Sequence, residues 1–99
     1  MEIKEFFKTF PAYLVVESLE KELKTRLERA QKTVEKMEKK YGMNLKEFEE
    51  SKQLEKLNYS WEAEKDYIDW DKAESEMKFC KKKLKELQNW KSLLLLQNR

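Results

Sequence analysis

Apolar residues recur every three or four positions along the first half of the chain, at Val16, Leu19, Leu23, Leu27, Ala30, Val34, Met37 and Tyr41. The steps run 3, 4, 4, 3, 4, 3, 4. That is one stutter followed by clean heptads, the pattern of a helix with a coiled-coil seam. The polar positions hold Glu17–Lys21, Glu20–Lys24, Glu22–Arg26, Glu28–Lys32 and Glu35–Lys39. These are acid-first i,i+4 pairs, each worth roughly 0.2–0.5 kcal/mol on an exposed helix. The predicted helix covers 12–41. It opens beside Pro11, which is tolerated in a first turn. It closes at Lys39 and Lys40, with Gly42 free to turn left-handed and Met43 placed to fold back on Met37.

Asn44 then reads as the cap of a short helix over 44–57, with Glu47 spaced to reach back to it. Leu45, Phe48, Leu54 and Leu57 give this segment an apolar side. Ser60 is the expected cap of a third helix over 60–96, and Glu62 and Glu64 suit its first turn. Its seam reads Ala63, Asp66, Trp70, Ala73, Met77, Cys80, Leu84, Leu87, Lys91, Leu94. Two seam positions are charged. Lys91 can carry its head to water, which leaves Asp66 as the odder of the two.

Helices of about 45 and 55 Å, joined through one short helix, can only form a hairpin. Charge agrees with antiparallel packing. Residues 1–43 carry 10 basic and 8 acidic groups, 44–76 carry 5 and 11, and 77–99 carry 7 and 1. A hairpin sets the acidic stretch 61–76 beside Lys32, Lys36, Lys39 and Lys40. It sets the basic stretch 78–91 beside Glu17, Glu20 and Glu22. The expected fold is therefore all-α: one domain over 1–99, a coiled-coil-like antiparallel hairpin with a short helix at its turn and an apolar segment over 1–11. One Gly and one Pro argue against a sheet protein. Aromatics at helical spacing argue against disorder.

The same hairpin brings two apolar stretches to one open end: Phe6, Phe7, Phe10, Tyr13 and Leu14 from the start, Trp90, Leu93 and Leu94 from the finish. Patches of this kind exceed what a monomer usually exposes, so they form one candidate partner-binding surface. Its occupant is left open among the folded-back N-terminal segment, a second copy and another protein. A second candidate is the acidic aromatic stretch of Trp61, Glu62, Asp66, Tyr67, Asp69 and Trp70. It either complements a basic partner groove or packs on the middle helix. The run Lys78, Lys81, Lys82, Lys83, Lys85 and Lys91 has the composition of a phosphate-contacting face, but it equally suits a solvated helix matched to acids across the hairpin.

Catalysis is not expected. The chain has no His, and Cys80 falls at a seam position as a small buried residue. One glycine excludes a phosphate loop, and no metal or cofactor is expected. The four leucines from Leu93 to Leu96 fall far short of a membrane span. A cytoplasmic protein, oligomeric with itself or bound to another protein, is the expectation.

The run Lys40-Tyr41-Gly42-Met43-Asn44-Leu45-Lys46-Glu47-Phe48, followed by Tyr59 to Trp70, resembles a family of small archaeal and bacterial helical proteins. These are described as uncharacterised or as antitoxins of toxin–antitoxin pairs. The likeness covers about residues 17–87 and centres on Tyr41, Gly42, Met43, Glu47, Phe48 and Trp70. It implies a binding role, that of an antitoxin-like partner that neutralises a toxin. The alternative is a homo-oligomeric coiled-coil scaffold, and nucleic-acid binding through the lysine run ranks below both.

Overall fold

The structure, a computed structural model, describes residues 12–97. Helix α1 spans Ala12–Tyr41, α2 Leu45–Glu50, α3 Gln53–Lys56 and α4 Trp61–Gln97. Helices α1 and α4 pack against each other in opposite directions. Ion pairs mark the sense of the pairing: Glu17 meets Lys91 at 3.9 Å, Arg26 meets Glu76 at 2.6 Å, and Lys40 meets Asp66 at 2.6 Å. The fold is an all-α hairpin, elongated at 60 × 27 × 17 Å. No strand occurs among the described residues.

The first helix ends as its residues dictate. Gly42 sits at φ +67° and its N–H donates to the Glu38 carbonyl at 2.7 Å, a left-handed cap that satisfies one of the last orphan carbonyls. Met43 packs back on the cluster that holds Met37. Asn44 then caps α2. Its side chain accepts from the Glu47 N–H at 2.8 Å, while the Glu47 carboxylate accepts from the Asn44 N–H at 3.4 Å. At the start of α4, the Ala63 N–H donates to Ser60 Oγ at 3.2 Å.

The seam departs from the expected register at one place. Leu19 is 46% exposed and Glu20 only 9%. Exchanging Leu19 for Glu20 turns the seam steps into 4, 3, 4, 3, 4, 3, 4, so the stutter disappears. A stutter would rotate the helix face away from its partner over the next turns. The chain keeps one unbroken heptad register and buries a carboxylate to do so. Glu20 Oε1 accepts from Lys24 at 3.2 Å, and Oε2 has no hydrogen-bond partner among the described residues.

The short helix expected over 44–57 is two helices. Ser51 caps α2, its hydroxyl donating to the Phe48 carbonyl at 3.4 Å and so competing with helix continuation. Lys52 then turns left-handed at φ 55°. A second left-handed turn closes α3. The Asn58 N–H donates to the Glu55 carbonyl and the Tyr59 N–H to the Leu54 carbonyl, the paired bonds of a Schellman cap. Asn58 takes the position usually held by Gly, and Tyr59 follows at φ 49°.

Candidate interaction surface

At the closed end the aromatic residues face inward. Trp70 is fully buried and Phe48 is 1% exposed. Tyr41 stacks on Trp70 at 5.8 Å and meets Phe48 edge-on at 4.9 Å. Tyr67 stacks on Phe48 at 5.9 Å, and its hydroxyl donates to Glu49 at 3.1 Å. Each such pair adds about 0.5–1.5 kcal/mol beyond the area it buries.

Asp66 is a structural carboxylate. Its side chain is 14% exposed and accepts from Lys40 Nζ and the Tyr41 hydroxyl, both at 2.6 Å. Burial alone would push its pKa up. The hydrogen bonds from Lys40 and Tyr41, with the charges of Lys40 and Lys36, outweigh this and hold it below the usual carboxylate value. In return, burial and the bond to Asp66 push Tyr41 up to about 12. The hydrogen bonds to Asp66 and Glu62 raise Lys40. This clasp joins the end of α1 to the start of α4 and sets the hairpin register.

The six residues of the acidic aromatic stretch therefore do not share one outer face. Trp70 lies in the core, Tyr67 is half-buried on Phe48, and Asp66 is clasped by Lys40 and Tyr41. Lys40 also takes Glu62 at 2.6 Å, although that carboxylate stays largely exposed. Asp69 lies half-buried in a groove that Thr33, Lys36 and Lys72 also line. Trp61, 80% exposed, is the one aromatic of the set that points fully outward. No cluster of three His, Cys, Asp or Glu side chains able to hold a metal ion occurs among the described residues.

Of the open-end residues, Phe6, Phe7 and Phe10 lie outside the described residues, as do the side chains of Tyr13 and Leu94. Leu14, Trp90 and Leu93 are 42%, 62% and 56% exposed. Leu19, Leu23, Leu87 and Trp90 line a groove of about 350 Å³ between the two long helices. The turn out of the seam that exposes Leu19 thus adds to this end an apolar residue that the expected pattern had placed inside. In the lysine run, Lys91 pairs with Glu17 and Lys83 with Glu86. Cys80 is fully buried, and burial pushes its thiol up.

A line of exposed apolar side chains not anticipated from the seam runs along α4. Ile68, Phe79 and Trp90 are 51%, 44% and 62% exposed. They are spaced by eleven residues, three helical turns, and so share one face. Trp61 and Leu93 fall close to the same line. Arg26 and Lys83 cover the Phe79 ring at 5.3 and 5.8 Å. The signal was present in the spacing 68, 79, 90, but a search for the seam passes over a second apolar line. Helix α4 thus carries exposed apolar side chains beyond its seam: Ile68 outward, Phe79 beneath Arg26 of α1, and Trp90 at the rim of the α1–α4 groove.

Fold and surface together define an all-α helical hairpin protein whose second long helix exposes apolar side chains beyond its seam. The chain belongs to the uncharacterized protein MJ0235 family, whose sequence profile matches residues 1–92. No curated protein and no solved structure matches it. Among the described residues, no helix is long and apolar enough to cross a membrane.

Proposed function

We propose that this protein is a non-catalytic protein–protein interaction module, with the outward apolar side chains of α4 and the open end as its contact surface. The observation that carries the reading is the exposure of Ile68, Phe79, Trp90 and Leu93 on a helix that already buries another face. Rigid aromatic anchors with a polar surround are the usual hot spots of protein interfaces. The reading without catalysis is supported by the lack of His and by the burial of the one thiol, which raises its pKa. A free, buried cysteine also suits a cytoplasmic setting.

The resemblance to antitoxins suggests the partner class, a toxin-like protein encoded beside this chain. Co-expression with the product of the adjacent reading frame tests this. The wild type should co-purify with that product, and Trp90→Asp/Leu93→Asp should not. Capture that survives the double substitution would remove the proposed surface. A second reading, a homo-oligomeric scaffold, is favoured by the regular spacing of the α4 stripe.

A further inference from the structure

We infer that the protein forms a two-fold dimer in which α4 packs antiparallel against α4 of a second copy, with Phe79 meeting Phe79 at the axis. The inference rests on the reading of α4 as a contact surface and names its occupant.

The stripe is symmetric about Phe79. Ile68 lies eleven residues before it and Trp90 eleven after. Reversing a second α4 about Phe79 therefore lays Ile68 on Trp90 and Trp90 on Ile68. All three side chains are about half exposed in the single hairpin. Isologous contact requires a self-complementary patch of this kind.

Charge selects the direction. Residues 61–76 carry seven acidic and two basic groups, and residues 77–93 carry one acidic and six basic. A parallel pair would set acid on acid and lysine on lysine. An antiparallel pair sets the acidic half of each helix on the basic half of the other. On the stripe itself, Lys72 stands seven residues before Phe79 and Glu86 seven after. Each Lys72 then faces the second copy's Glu86, twice per dimer.

The two cations over Phe79 do not oppose this approach. Arg26 is bound to Glu76 at 2.6 Å and Lys83 to Glu86 at 3.1 Å. Arg26 is neutralised by Glu76, Lys83 shares Glu86 with Lys72 of the second copy, and the stems of both cations extend the apolar surface around the ring. Ile68 and Phe79 lie off the buried seam, and Trp90 reaches the rim of the groove it lines with Leu19 and Leu87, so dimerisation leaves the buried core of the hairpin intact.

Sedimentation velocity of the full chain across the micromolar range should show a monomer–dimer equilibrium. Phe79→Asp and Ile68→Asp, both at exposed positions, should weaken it at least about 30-fold, as loss of a buried hot spot does. Circular dichroism should show both variants still helical. Lys72→Glu should weaken the dimer, and Lys72→Glu/Glu86→Lys should restore it. A monomer at every concentration would overturn the inference. So would a dimer indifferent to Phe79→Asp and Ile68→Asp, or a charge swap without rescue. A monomeric wild type that still captures the adjacent gene product through Trp90 and Leu93 would refute the dimer and leave the proposed function standing. A monomer with no capture would remove both.

Discussion

Glu20→Leu should make the protein more stable, because Glu20 occupies a seam position that the heptad register reserves for an apolar residue. The residue is 9% exposed and its Oε2 accepts no hydrogen bond from the described residues. A buried polar atom left unpaired costs about 1–3 kcal/mol. Leucine adds apolar burial in its place, while the lost pair with Lys24, 60% exposed on the lysine side, is worth roughly 0.3–0.5 kcal/mol. The balance favours leucine by about 2 kcal/mol. For a chain of this length that corresponds to a rise in Tm of about 8–16 °C, or about 1 M in urea midpoint. Helical circular dichroism during urea and thermal unfolding measures it, with protein concentration held fixed because association would add to apparent stability. An unchanged or lower midpoint would refute the argument, since it would mean that the Glu20 carboxylate is satisfied in solution.

Asp66→Asn should flatten the acid limb of the stability curve. The folded pKa of Asp66 lies below its ordinary value, so its contribution is complete above the unfolded value of about 3.9 and is lost as pH falls through the lower folded one. Unfolding midpoints across the acid range check this, and at neutral pH the variant should lose about 1 kcal/mol. Phe48→Ala should cost about 3–5 kcal/mol, a large share of the roughly 5–15 kcal/mol that holds a domain together. Retained cooperative unfolding with a small midpoint shift would contradict the placing of Phe48 at the centre of the core. Gly42→Ala should cost about 1–2 kcal/mol from backbone conformation alone, because a Cβ there meets nothing within 4 Å. A neutral result in urea melts would mean that the cap rearranges.

The hairpin was legible because three signals agreed: heptad spacing, the caps at Gly42, Asn44 and Ser60, and the alternation of charge along the chain. Local chemistry of this kind is read one turn at a time. The exchange of Leu19 for Glu20 was not legible, since each residue type favours the wrong side. Register continuity over eight seam positions overrides a single side chain's preference. The break at Ser51 and Lys52 is a contest between a helix and a left-handed turn without glycine, and tertiary packing of Phe48 decides it. Trp70 and Asp66 both fell on the seam by their spacing, but spacing does not name what they meet there. Their burial follows from partners far away in sequence, Tyr41 and Lys40. The α4 stripe could have been found from the spacing of Ile68, Phe79 and Trp90, had two apolar lines been sought on one helix.

The three tryptophans divide the molecule into separate optical reporters. Trp70 is fully buried in the aromatic core, so its emission should be blue-shifted and shielded from soluble quenchers until the hairpin opens. Trp61 and Trp90, 80% and 62% exposed, stand about 44 Å apart along α4 and should emit to the red. Single-tryptophan variants would then separate three events without an added dye: unfolding of the closed end, contact at the turn, and contact at the open end.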